Sequence, residues 1–227
     1  GFNHQSIVVN TALGTPNGAL YPKITDRYIF FYKAQEDPHP IDGLAFVAYY
    51  DMGPDGLYLT NDDVGPRYVS IQQLYARAYP LLNNVGISPA GIAFIDRTTF
   101  NGNDSEVYFF KFFNGTVYRL TNDDIDQNRV DVNDQWIVWS DGRDGNLAVY
   151  GRNFGPDGIP FTGDDSGAVK LSPGVSMEGY PTISGNFLSY YDVDGRVYKV
   201  KNLETGEVMD LDYLYISGEL TPEEFKQ

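Results

Sequence analysis

The sequence predicts an all-β chain made of four copies of one antiparallel unit, and three observations carry that prediction. Short runs of β-branched and aromatic residues recur between Gly, Asn and Asp turns, which is the pattern of hairpins. A lead-in, a turn, an apolar strand and an Asp-rich turn return four times in the same order. With 18 Tyr, 14 Phe and 42% hydrophobic residues, the 227-residue chain can fill a sizeable core despite a formal charge of −15.

The first copy reads Pro22-Lys-Ile-Thr-Asp-Arg-Tyr-Ile-Phe-Phe-Tyr32 and the second Ile87-Ser-Pro-Ala-Gly-Ile-Ala-Phe-Ile-Asp96. The third is Val132-Asn-Asp-Gln-Trp-Ile-Val-Trp-Ser-Asp141 and the fourth Pro181-Thr-Ile-Ser-Gly-Asn-Phe-Leu-Ser-Tyr-Tyr-Asp192. Taking Ile24, Ile87, Val132 and Ile183 as equivalent, the spacings are 63, 45 and 51 residues. Each copy runs into a second strand, at 44–50, 107–113, 147–151 and 196–201, and a third, at 68–71, 117–121, 168–172 and 207–211. The repeats therefore occupy about 21–72, 85–122, 130–173 and 180–212. Units of this length with three or four antiparallel strands match the blades of a β-propeller. A β-sandwich also shows regular turns, but the same lead-in, turn and Asp in fixed order favour the propeller.

Other segments fill in the plan. Residues 70–84 space Ile71, Leu74, Tyr75 and Leu81 as one amphipathic helix ended at Pro80, an insertion between the first two repeats. Residues 5–11 read as a lone strand that closes a blade of its own chain or pairs with a neighbour, so the expected count is four or five blades in a single domain over 1–227. Thr221-Pro-Glu-Glu-Phe begins like a capped helical turn. Trp136 and Trp139, three apart on one strand, face opposite ways.

Two segments match at a constant offset of 102 residues: Asp51-Met-Gly-Pro-Asp-Gly-Leu-Tyr-Leu-Thr-Asn-Asp-Asp-Val-Gly65 and Asn153-Phe-Gly-Pro-Asp-Gly-Ile-Pro-Phe-Thr-Gly-Asp-Asp-Ser-Gly167. Gly-Pro-Asp-Gly makes a tight turn, with Pro fixing one φ and Gly supplying a positive one. Asp51, Asp55, Asp62 and Asp63 then crowd one loop, as do Asn153, Asp157, Asp164 and Asp165 in the other. Carboxylates packed this closely repel unless a cation sits among them, and the nearest basic residues, Arg67 and Arg152, lie outside the loops. Hard oxygen donors with Gly at the turn are what Ca²⁺ takes, whereas Mg²⁺ wants stricter octahedral geometry. Asp and Gly also form plain solvated turns, which explains Gly-Pro-Asp-Gly alone but less readily a Thr-x-Asp-Asp duplicated behind it. The spacing is not that of an EF-hand.

Here the chain resembles a family. Trp136-Ile-Val-Trp-Ser-Asp-Gly-Arg-Asp-Gly-Asn-Leu-Ala-Val-Tyr150 is similar to the blade repeat of TolB-like β-propellers of secreted bacterial and archaeal proteins. Pro181-Thr-Ile-Ser-Gly-Asn supplies the same lead-in, Tyr118-Arg-Leu-Thr-Asn the closing strand, and the Gly53–Asp63 and Gly155–Asp165 segments an insertion common in those repeats. The resemblance covers most of 20–212 and implies the fold, with Trp139 as the core Trp; it says little about activity. The first repeat departs from the pattern with Phe31-Tyr32-Lys33 where an Asp is expected, and four repeats are fewer than the family usually has.

Composition removes several function classes. Without Cys there is no disulfide framework, thiol nucleophile or Cys-ligated metal, and with only His4 and His39 a His-based metal site or triad has little to draw on. An acidic chain is a poor match for nucleic acid or for anionic membranes, and no apolar run approaches the ~18 residues of a spanning helix. A chain opening on Gly1-Phe2-Asn3 is expected to be a processed or trimmed product. The triplets at Asn103 and Asn114 fit glycosylation of an exported protein. The expectation is a non-catalytic extracellular or cell-surface binding or assembly module, stabilised by Ca²⁺ and contacting a protein partner, itself or a glycan. The opposing expectation is a polysaccharide hydrolase or lyase using Asp residues in the propeller channel.

Overall fold

The protein is described from a computed structural model over residues 19–24, 28–34, 45–57, 60–70, 85–96, 105–111, 116–159 and 162–211. The strand at 5–11, the helix over 71–84, the turn at 221–225, both histidines, Asn103 and Asn114 lie outside those residues. The chain divides into two compact units, Gly1–Leu82 and Asn83–Gln227. The first holds one meander of four antiparallel strands in chain order: β1 (Ala19–Ile24), β2 (Tyr28–Ala34), β3 (Ala45–Asp51) and β4 (Val64–Ser70).

The second unit holds three more sheets of the same design. They are β5 (Val85–Ser88) to β8 (Val117–Arg119) through β6 (Gly91–Asp96) and β7 (Glu106–Lys111), then β9 (Gln127–Val132) to β12 (Val169–Lys170) through β10 (Trp136–Asp141) and β11 (Ala148–Asn153). The last runs from β13 (Glu178–Ser184) through β14 (Phe187–Asp192) and β15 (Val197–Asn202) to β16 (Val208–Asp210). The expected lead-ins are full first strands. Sequence reading placed the third and fourth at 130 and 180; they open instead on Gln127 and Glu178, buried polar residues that hide a strand start from an apolar pattern.

The two-residue period then decides what each sheet touches. On β10, Ile137 and Trp139 point back into a core shared with Ala93, Ile95, Val107 and Phe109 of the preceding sheet. Val138, on the opposite face, packs with Leu188 and Tyr190 of the following sheet. Trp136 lies against that second core, so the two tryptophans face opposite ways as their spacing requires. Each fully buried aromatic or aliphatic side chain here contributes about 1.5–3 kcal/mol. Sheet-to-sheet stacking with strands in chain order is the layout of propeller blades.

Backbone contacts lock the first strands of neighbouring sheets together. A Cβ on Gly86 would strike the backbone of Asp131, so only glycine lets β5 approach β9 this closely. Asp131 Oδ2 accepts the Ile183 N–H at 3.0 Å, and Asn133 Nδ2 donates to the Gly185 carbonyl at 2.9 Å. The register slips between Trp139 and Ser140 and between Gly179 and Thr182. The first strand of each sheet takes up the slip in a bulge at Arg129 (φ 52) and Tyr180 (φ 57), whose guanidinium and ring stack at 4.6 Å.

The repeat aspartate is structural in the third and fourth repeats. Asp141 accepts the Trp139 indole N–H at 3.0 Å and binds Arg143 through the backbone N–H and the guanidinium. Asp192 accepts Ser176 Oγ and the Gly195 N–H and pairs with Lys199 at 3.0 Å. The Gly195 N–H and then Lys199 hold its carboxyl down at about 2.

Candidate metal sites

The duplicated loops leave the end of a strand and return to the next one, β3 to β4 in the first unit and β11 to β12 in the second. Both open on an Asx turn: Asp51 Oδ1 accepts the Gly53 N–H at 3.0 Å, and Asn153 Oδ1 accepts the Gly155 N–H at 2.8 Å. Gly53 and Gly155 have φ of 70° and 69°, and a Cβ on either would fall on the carboxylate of Asp62 or Asp164. The turn glycine therefore does two jobs, taking a left-handed φ and letting the later aspartate close over it. The next aspartate caps the turn's exit, with Asp55 Oδ1 taking Leu57 N–H at 2.8 Å and Asp157 Oδ1 taking Ile159 N–H at 2.7 Å.

A threonine hydroxyl organises the far side. Thr60 Oγ1 reaches Asp62 Oδ1 at 2.6 Å, Asp63 Oδ1 at 3.1 Å and the Leu57 carbonyl at 3.2 Å. Thr162 Oγ1 repeats this with Asp164 Oδ1 at 2.5 Å, Asp165 Oδ1 at 2.9 Å and the Ile159 carbonyl at 3.0 Å. One hydroxyl proton can satisfy only one acceptor, so the hydroxyl oxygen, the carbonyl and the carboxylates converge on shared space. The Thr162 hydroxyl, ahead of every other influence, holds the Asp164 carboxyl below the usual carboxylate range.

The structure thus brings Asp55, Asp62 and Asp63 together, and Asp157, Asp164 and Asp165 together, one oxygen of each within 4.8 Å of the others. Each triad could hold a metal ion, and the donors are all hard oxygens, which suits Ca²⁺ or Mg²⁺ and not a softer metal. Asp51 and Asn153 stand at the turn entrance with one side-chain oxygen committed to the backbone.

Composition of the motif did not reveal what anchors its last aspartate. In the first loop Tyr50 Oη donates to Asp63 Oδ2 at 2.9 Å. In the second Arg152 donates to Asp165 Oδ2 from Nε at 3.0 Å and Nη2 at 2.7 Å. Tyr50 and Arg152 keep the 102-residue offset, so extending the alignment one position before each loop exposes the pair. Lys111 of β7 also reaches the second loop, donating to the Gly158 carbonyl at 3.3 Å. Among the described residues no helix is long and apolar enough to cross a membrane.

No family model matches the chain, and no curated protein matches it in sequence. Solved structures do. TolB from Acinetobacter baumannii superposes with a TM-score of 0.53 at 18% identity, over 87% of this chain and 44% of that one. A chain of a nidogen/laminin complex gives 0.45 at 16% identity over 81% and 58%. Oligopeptidase B from Trypanosoma brucei gives 0.49 at 15% identity over 81% and 25%. The fold assignment rests on the first of these, of which the chain spans less than half the length. Four meandering antiparallel sheets, the stacking of the last three, and this likeness together give the chain the fold of a TolB-like β-propeller.

Proposed function

We propose that this chain is a non-catalytic binding or assembly module of an extracellular or cell-surface protein, a single domain whose two inserted loops hold structural Ca²⁺. The observation that carries the reading is the duplicated convergence of Asp55, Asp62 and Asp63 and of Asp157, Asp164 and Asp165. Three like charges within a few ångströms destabilise a loop unless a cation neutralises them, a need that Arg152 meets only in part and only in the second loop, and an irregular loop of carboxylates, hydroxyl and carbonyl suits the flexible coordination of Ca²⁺ better than that of Mg²⁺. In a chain without disulfides, such an ion stabilises the folded state by binding it alone.

The binding role is supported by the last sheet. Its face turned away from β9–β12 carries Phe187 and Tyr198, 52% and 50% exposed, with Tyr198 packed on Tyr191 at 4.9 Å between ring centroids. Exposed aromatic surface of this kind is what protein contacts use, with a partner or a second copy. Thermal melts in EDTA, Ca²⁺ and Mg²⁺ test the ion, with Ca²⁺ raising the melting temperature most; one melting curve under all three conditions would remove Ca²⁺ from the account. Size-exclusion chromatography across a concentration range, with a screen on acidic and neutral polysaccharides, tests the role. Turnover of a polysaccharide would overturn it.

A further inference from the structure

The interface between sheets β9–β12 and β13–β16 differs from the preceding one at three matched positions. Register fixes the match: Gln127 lies opposite Asp141, and Glu178 opposite Asp192. Trp139 and Tyr190 stand two residues before those aspartates, on the same face. From the preceding sheet, Ile95 joins the core around Trp139. Ser140 occupies the corresponding place one interface later, opposite Val149 and two residues from Val138, both in the core around Tyr190.

In the first interface these polar groups are matched. The Trp139 indole N–H has Asp141 at 3.0 Å. Gln127 accepts from Thr121 Oγ1 at 2.9 Å and donates to Asp123 Oδ1 at 2.9 Å and the Ile125 carbonyl at 2.7 Å. Ile95 brings no polar atom. In the second interface Ser140, Tyr190 and Glu178 replace Ile95, Trp139 and Gln127, all at 0% exposure. Glu178 Oε2 accepts the Gly174 N–H at 2.6 Å, but Glu178 Oε1, Tyr190 Oη and Ser140 Oγ have no hydrogen-bond partner in the protein. Ser140 Oγ lies against β13, 3.4 Å from where a Cβ on Gly179 would sit. Glu178 shares a face with Asp192 and hence with Tyr190, and its charge, after burial, helps push the Tyr190 phenol up to about 12.

Two hydroxyl donors and a carboxylate acceptor, all buried, need a guest that accepts two protons and donates at least one. A metal cation accepts neither hydroxyl proton, and ammonium only donates. Water does both, with the three or so bonds that buried waters make. We propose that Ser140, Tyr190 and Glu178 form an internal site for one water molecule, which joins the third and fourth sheets.

The test uses Tyr190→Phe, Ser140→Ala and the double variant, with oxygen-17 magnetic relaxation dispersion to count long-lived internal waters. Either single change should lower the melting temperature by about 2–4 °C and remove one long-lived water. The double variant should lose little more than the worse single, because the hydroxyls interact only through the shared guest. Removing an unpartnered hydroxyl with no guest is neutral or stabilising, so an unchanged or raised melting temperature in Tyr190→Phe would overturn the proposal. So would additive losses, an unchanged count of long-lived waters, or melting that depends on sodium, potassium or choline at fixed calcium.

Discussion

Loops 51–65 and 153–167 place a threonine hydroxyl between two successive carboxylates at nearly the same distances, yet Tyr50 anchors the inner aspartate of one and Arg152 that of the other. The shared part follows from the motif: an Asx turn, a left-handed glycine and Thr-x-Asp-Asp fold locally onto one another. The differing part comes from the strand end that precedes the motif, which belongs to the sheet. Arg152 and Asp165 are 14% and 2% exposed, so the second loop carries a nearly buried ion pair beside its candidate metal oxygens. A guanidinium there compensates the charge that an ion would otherwise neutralise.

The largest expected effect is at that pair. Arg152→Leu strands the buried Asp165 carboxylate and should cost about 3 kcal/mol by urea denaturation without metal, with part regained in Ca²⁺. A loss well under 1 kcal/mol would show that solvent already reaches Asp165. Next come Gly53→Ala and Gly155→Ala, about 2 kcal/mol each, because both force a left-handed alanine against an aspartate. Equal losses would confirm that the scaffold is the same in both loops; a marked inequality would break the comparison. Tyr50→Phe removes a single hydrogen bond to Asp63 and should cost about 1 kcal/mol.

The smallest effect is electrostatic. Thr162 holds the Asp164 carboxyl below its ordinary value. A depressed folded value means that its contribution is present above about pH 4 and is lost as pH falls through the folded pKa. Thr162→Val should return the Asp164 titration, followed by carboxyl NMR, towards the ordinary value; no movement would assign the depression to the backbone N–H groups instead.

Much of this was legible without coordinates because it is local. Three of the four repeats show in apolar runs ending at Asp96, Asp141 and Asp192, and the loops in a motif repeated at one offset. The opposite faces of Trp136 and Trp139 follow from strand period alone. Three things were not legible. Gln127 and Glu178 begin strands although they are polar, since their partners are turn residues and backbone groups brought up by folding. Which oxygens of Asp51, Asp55, Asn153 and Asp157 are committed to turn N–H groups could not be read from the motif. Tyr50 and Arg152 differ in charge and shape, so residue type alone does not pair them, although both donate to the last aspartate of their loop.

By itself the sequence determined the strand periodicity, the repeat order and the residues of both acidic loops, because sterics and turn preferences act between near neighbours in the chain. Only the tertiary structure decided which cation or phenol meets Asp63 and Asp165, and which face of β10 meets which sheet. It also decided that Ser140, Tyr190 and Glu178 would end up buried together. Those outcomes depend on groups beyond local reach along the chain meeting in a low-dielectric environment, where a missing partner is costly and a pattern along the chain carries no record of who the partner is.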